Sequence, residues 1–108
     1  MTTRKLILVL TTVPDEASAA ALADALVQEK LAACVNRVPI ESTYRWQGAV
    51  ESAREVLLVV KSTSDLVDRL RERVHALHSY DVPEFVVLDT AAVAPAYLQW
   101  ALASCAPD

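Results

Sequence analysis

The sequence predicts an α+β domain of the ferredoxin-like type, βαββαβ plus a C-terminal helix, built on an antiparallel sheet. Three observations lead to this prediction. Two runs are apolar at every position, as is typical of strands in the centre of a sheet. Segments with helical periodicity follow the first and third predicted strands. Between the first helical segment and the second apolar run, the pattern alternates with period two, which indicates one long β-hairpin.

The first strand is predicted at residues 6–10, where five apolar residues follow one another. Pro14 follows the end of this run, and Asp15 is a good N-cap for a helix. We expect that helix to continue to about Lys30, because apolar residues recur on one face at helical spacing. That face comprises Ala19, Leu22, Ala23, Leu26 and Val27.

The hairpin lies within residues 31–61. Every second residue of its first arm belongs to one mainly apolar face, namely Val38, Ile40, Ser42, Tyr44 and Trp46. The chain's only glycine, Gly48, marks the turn, where a residue free to adopt positive φ is favoured. Both arms exceed the usual strand length of about 5–6 residues. Because a small domain cannot cover such a ribbon on both faces, Tyr44 and Trp46 predict contact with a second copy of the chain.

The second half of the chain contains a helix, a strand and a last helix. Ser and Asp within residues 62–65 offer caps for a helix whose buried stripe is Leu66, Leu70, Val74 and Leu77. His75 and His78 are predicted to share one face of its last turn. A fourth strand is predicted at residues 85–88, and a last helix begins near Val93 with Tyr97, Leu98, Ala101 and Leu102 on its apolar side and Pro107 beyond its end. Right-handed crossovers place strands one and three together in the middle, with both faces covered.

Composition bounds the function. The chain of 108 residues is long enough for one domain, taken as residues 1–108, and its net charge of −4 argues against nucleic-acid binding. No apolar run approaches the ~20 residues of a membrane span. The start lacks a cleavage site for a signal peptide, and the two cysteines, Cys34 and Cys105, are too few for a disulfide scaffold. We therefore expect a cytoplasmic protein with both cysteines reduced, and we expect Cys34 to be buried and inert.

The densest polar group is the connection at residues 78–84, which holds His78, Tyr80, Asp81 and Glu84. Imidazole and carboxylates suit divalent metal ions, whereas a histidine in this position also simply ends a helix. Glu55 and Lys61 share a strand face, so they belong either to an ion-pair network at a strand end or to a pocket. No catalytic triad order, glycine-rich phosphate loop or CxxC pair is present, so we expect no enzyme activity.

Six motifs in register make the chain resemble the CutA divalent-cation tolerance family. They are Thr12-Val13-Pro14-Asp15-Glu16, Leu31-Ala32-Ala33-Cys34-Val35-Asn36, Tyr44-x-Trp46-x-Gly48, Glu55-x5-Lys61-Ser62, His78-x-Tyr80-x-Val82-Pro83-Glu84 and Tyr97-Leu98-x-Trp100. The resemblance implies a PII-like homotrimer that binds copper(II) or another divalent cation. It also implies an intersubunit pocket at the positions matching Trp46, Glu55, Lys61, Tyr80 and Glu84.

The match to the family's proposed copper ligands is partial. Some bacterial members have a cysteine where this chain has Thr11, and a second histidine where it has Leu77. His78 is the ligand that matches, and we expect it to carry any copper affinity. Two other functions remain open, namely a PII-like sensor that binds an anionic metabolite with Lys61 as its cation, and a scaffold whose assembly is its whole role.

Overall fold

The described part of the chain contains four strands and three α-helices in the predicted order. The computed structural model describes residues 4–106, so Pro107 lies outside the described residues. The elements are β1 (Leu6–Val13), α1 (Glu16–Gln28), β2 (Cys34–Trp46), β3 (Ala49–Thr63), a 3-10 turn (Ser64–Leu66), α2 (Val67–Leu77), β4 (Val86–Asp89) and α3 (Pro95–Ser104). The strands form one antiparallel sheet in the order β2-β3-β1-β4. The ferredoxin-like prediction, with strands one and three in the middle, is confirmed.

One face of the sheet carries the core. Val9 on β1 lies opposite Val60 on β3. These two side chains face the helices and are buried beneath α1 and α2. Leu26 and Leu70 contribute fully buried side chains from the two helices. Asp15 caps α1 by accepting a hydrogen bond of 2.7 Å from the amide of Ser18. Burial of these aliphatic side chains is the main source of stability within one chain.

The opposite face of the sheet is only partly covered. α3 packs over one end of it, in a cluster of Leu6, Ala33, Leu66, Ala101 and Cys105. The rest, which we call the open face, is half-buried or exposed and includes Leu8, Leu10, Val38, Leu57, Val59, Val86 and Leu88. The prediction of cover on both sides of the central strands is therefore wrong for a single chain, because α3 is too short to reach across the sheet.

The hairpin is as long as the alternation predicts. β2 and β3 pair without interruption from Cys34 opposite Lys61 to Trp46 opposite Ala49. At the turn, Gln47 has a φ of 49° and Gly48 a φ of 82°. The far end of the ribbon is mostly exposed on both arms, and the longest dimension of the molecule is 46 Å.

The end of α2 differs from the prediction. The helix stops at Leu77, and His78 has an extended backbone with φ −84° and ψ 143°. Leu77 is 42% exposed and not buried, because the chain leaves the helix there and α1 covers this position only in part. The start also differs, since a 3-10 turn precedes α2 and its N-cap, Leu66, makes no side-chain cap.

A clasp joins the two ends of the described chain. The guanidinium of Arg4 donates hydrogen bonds to the carbonyl oxygens of Leu102 and Cys105, at the end of α3. It also forms a salt bridge of 3.2 Å with Asp65. We call these contacts the Arg4 clasp. Within residues 4–106, no helix has both the length and the apolar character that crossing a bilayer requires.

Candidate functional site

A cleft of about 710 Å³ lies between the overhanging hairpin and the connection that follows α2. We call it the hairpin cleft. Its lining comprises Thr12, Ser42, Thr43, Tyr44, Trp46, Glu55, Ser79, Tyr80, Asp81, Val82 and Glu84. Period-two alternation explains why side chains from three strands line this cleft. They all point to the open face of the sheet, namely Thr12, Ser42, Tyr44, Trp46 and Glu55.

Four of the five predicted pocket residues line this cleft, namely Trp46, Glu55, Tyr80 and Glu84. Lys61 does not. It lies six residues along β3 from Glu55, which corresponds to ~20 Å of strand. Its ammonium group lies 5.9 Å from the ring centre of Tyr97 on α3. Within one chain, therefore, the predicted cation of an anion-binding pocket is separated from the predicted aromatic wall.

Tyr80 is fixed at the side of the cleft by its hydroxyl group, which donates a hydrogen bond of 2.7 Å to Oε2 of Glu55. Burial, followed by this hydrogen bond to the carboxylate, raises the pKa of the Tyr80 phenol far above its usual value. The phenol is consequently neutral at physiological pH and acts as a donor.

His78 holds the same connection to β1. Its Nε2 lies 2.7 Å from the carbonyl oxygen of Thr12, and its Nδ1 accepts the amide of Tyr80 at 3.1 Å. A carbonyl oxygen can only accept, so Nε2 carries the proton and Nδ1 provides its lone pair to the amide. Both ring nitrogens are thereby occupied by backbone groups. A metal ion would reach Nδ1 only by displacing the Tyr80 amide.

The two histidines do not form the predicted pair on one helix face. His78 lies beyond the end of α2, whereas Nδ1 of His75 contacts the carbonyl oxygen of Arg71 within the helix at 2.8 Å. That prediction is wrong because the helix ends one residue before His78, where the contact with Thr12 redirects the chain.

The charge of the cleft is uniformly negative. Glu55, Asp81 and Glu84 line it, and its lining contains no Lys, Arg or His. The salt bridges within residues 4–106 involve other carboxylates, those of Glu29, Glu41, Asp65 and Asp68. No three His, Cys, Asp or Glu side chains of this part of the chain come together closely enough to hold a metal ion. One chain alone thus provides an acidic surface and not a complete coordination sphere.

The positions related to copper binding lie outside the cleft lining. Thr11 is fully buried on the helix side of β1, and Leu77 lines a smaller hollow between α1 and the end of α2. Cys34 is half-buried beside Lys61, so it is less buried than predicted. Cys105, the residue that follows α3, is a buried free thiol, and its burial raises the pKa of the thiol.

Sequence reasoning missed the hydroxyl groups of the cleft. Thr12, Ser42 and Thr43 line it, yet none belongs to the polar connection at residues 78–84. For Ser42, the sequence does contain an indication of its position in the cleft, because period-two alternation places it on one face with Tyr44 and Trp46.

The sheet order, the long hairpin and the cleft beside it define the class of this protein as a small ferredoxin-like, PII-like α+β domain. A family model described as CutA1 divalent ion tolerance protein matches residues 7–104. The chain belongs to this family.

Individual relatives agree. The Divalent-cation tolerance protein CutA of Thermus thermophilus is 54% identical over 93 residues, which cover 85% of this chain and 90% of that protein. Protein CutA, chloroplastic, of Arabidopsis thaliana is 48% identical over 95 residues, but the match spans 87% of this chain and only 52% of the plant protein. The structure of CutA from Synechococcus elongatus superposes with a TM-score of 0.92 at 40% identity, covering 98% of this chain and 95% of that one.

Proposed function

We propose that this member of the divalent-cation tolerance family binds copper(II) or another divalent metal ion at the hairpin cleft, and that it acts in the response to metal ions by binding and not by catalysis. The observation that carries the proposal is the charge of the cleft. Three carboxylates line it and no basic side chain of its lining offsets them. Such a surface attracts cations and repels the anionic metabolites of the alternative function.

We further propose that the functional unit is a homotrimer. The exposed apolar side chains of the open face support this, because a monomer in water would leave them hydrated. Assembly also addresses the shortage of ligands, since symmetric copies bring carboxylates from more than one chain to a shared site. Two free thiols, Cys34 and Cys105, are consistent with the cytoplasmic location that we propose.

The ligands separate into two groups that can be tested. Oxygen donors of the cleft, Glu55 and Glu84, suit a broad range of divalent ions, whereas an imidazole favours copper. We retain His78 as the proposed nitrogen ligand, although it lines the smaller hollow and not the hairpin cleft. It can reach a metal ion at the cleft only if its Nδ1 first releases the amide of Tyr80.

The test is calorimetric titration of the reduced protein with Cu²⁺, with the particle mass measured by light scattering in the same buffer. We expect saturable binding to a trimer and weaker binding in Glu55→Gln and Glu84→Gln. The control is Glu41→Gln, an exposed carboxylate on the opposite face of β2. His78→Asn reports on the nitrogen ligand separately. An intact trimer that binds no divalent ion would refute the proposed function.

A further inference from the structure

The hairpin cleft has a second chemical property that its acidic charge does not account for. Three of its lining residues, Tyr44, Trp46 and Tyr80, are aromatic. Tyr44 and Trp46 are on the same face of β2, two residues apart, and Tyr80 approaches from the connection after α2. A hydrated metal ion gains little from aromatic walls, whereas the π faces attract organic cations that have lost part of their water.

One of these walls is built rigidly. The backbone amide of Tyr80 donates a hydrogen bond to Nδ1 of His78, and the hydroxyl group of Tyr80 donates one to Glu55. The ring of His78 also lies 4.8 Å from that of Tyr80, so the aromatic side chain is fixed at the backbone, at the ring and at its tip. A wall fixed in this way loses little conformational entropy when a ligand binds against it.

The carboxylates of the cleft are spread out in a single chain. Glu55, Asp81 and Glu84 line the same cleft, but within residues 4–106 no three acidic, histidine or cysteine side chains come close enough together to hold one ion. At about 710 Å³ the cleft is within the range of pockets for small organic ligands. An alkylammonium group offers three N–H donors and a guanidinium group five, so either can bind to one or two carboxylates without the full ligand set that a metal ion needs.

We propose that the hairpin cleft binds an organic cation, an alkylammonium or a guanidinium group, between Trp46, Tyr44 and Tyr80, with the cleft carboxylates neutralising its charge. The ligand is either a free small amine or a cationic side chain of another protein. This inference rests on the cleft being the binding site of the proposed function, but it does not rest on metal binding there.

The experiment is a titration of the metal-free protein with 1,4-diaminobutane in a buffer that contains a chelator. Binding is measured by calorimetry and by NMR of the aromatic resonances. We expect saturable binding, and no binding of 1,4-butanediol, which has the same shape without charge. Trp46→Leu and Glu55→Gln each weaken amine binding by about tenfold. Trp100→Leu and Glu41→Gln are the matched controls, since both side chains are exposed and neither lines the cleft. Unchanged amine affinity in Trp46→Leu would overturn the proposal.

A second arm distinguishes the source of the cation. N-acetyl-lysine methylamide and the corresponding arginine derivative represent a protein side chain, and stronger binding of these than of the diamine indicates a protein partner. The reverse order indicates a free amine. Failure of every amine to bind to a folded protein overturns the inference.

The metal titration in parallel separates this proposal from the proposed function. Trp46→Leu removes an aromatic wall but no oxygen donor, so it weakens binding of the amine and leaves binding of Cu²⁺ unchanged. Saturable Cu²⁺ binding without any amine binding contradicts only the inference made here. Amine binding without metal binding contradicts only the proposed metal function.

Discussion

At the scale of single residues, the clearest anomaly is a buried hydroxyl group. Thr11 is fully buried between inward-facing valines of β1, and its Oγ1 has no hydrogen-bond partner among the described residues. A buried polar group without a partner loses its hydration and gains nothing in exchange. Thr11 is therefore a position where the wild-type sequence is not the most stable choice.

We predict that Thr11→Val raises the free energy of unfolding by about 1 kcal/mol, because valine keeps the shape and removes the unsatisfied hydroxyl group. Denaturant unfolding of the reduced protein measures the change. Thr43→Val is the control, since Thr43 is exposed and its replacement should alter stability by less than about 0.5 kcal/mol. Destabilisation by Thr11→Val would indicate that the hydroxyl group has a partner, such as a buried water molecule.

The phenol of Tyr80 gives a pH dependence. Its pKa is raised in the folded chain, through burial and the bond to Glu55, so the folded state keeps this proton at a pH where the unfolded chain releases it. Stability is thus unaffected below the usual tyrosine pKa of about 10 and falls as the pH rises above it.

We predict that, between pH 10 and 12, the wild-type protein loses stability more steeply than Tyr80→Phe, which has no phenol to ionise at this position. Urea unfolding at several pH values measures both slopes. Parallel curves for the two proteins would show that the pKa of Tyr80 is not raised.

At the scale of elements, the hairpin is the feature that sequence predicts best. Alternation fixes which side chains share a face, and a single glycine fixes the turn. The structure confirms both, with Gly48 in the left-handed region. The end of α2 was predicted less well, because local pattern continues the helix to His78 and a contact with Thr12, distant in sequence, stops it at Leu77.

The turn itself can be tested by substitution. Both Gln47 and Gly48 have positive φ, and a Cβ atom at Gly48 would meet no atom within 4 Å. We predict that Gly48→Ala costs about 1 kcal/mol of unfolding free energy through backbone strain alone, and that Gln47→Gly gains a smaller amount. Thermal unfolding of both variants measures this. A neutral Gly48→Ala would indicate that the turn adopts another geometry.

At the scale of the whole molecule, the topology was predictable and the site only in part. Strand order follows from crossover handedness and from the apolar patterns of β1 and β3. The pocket between subunits that the resemblance implies stays a prediction. Within one chain, Trp46, Glu55, Tyr80 and Glu84 line a common cleft and Lys61 lies outside it. The path of the connection after α2, which forms one side of the hairpin cleft, depends on contacts that no local pattern encodes.

The open face makes a prediction about assembly. If copies of the chain bury it, the melting temperature rises with protein concentration, because dissociation accompanies unfolding. We predict that Val86→Asp on the open face lowers the particle mass and removes this dependence. Val27→Asp should not, although Val27, on α1, is equally exposed, at 43% against 44%. Light scattering and calorimetry over a hundredfold range of concentration test this, and a melting temperature independent of concentration would contradict it.

The Arg4 clasp has a consequence for protein engineering. Because Arg4 contacts the carbonyl oxygens of Leu102 and Cys105, the two ends of the described chain emerge side by side only once the domain has folded. A fluorescent donor and acceptor, fused before and after the domain, should therefore transfer energy efficiently when the domain is folded and less efficiently when it is unfolded. The domain would then serve as an optical sensor of its own stability inside a living cell, and Arg4→Met should dim the signal.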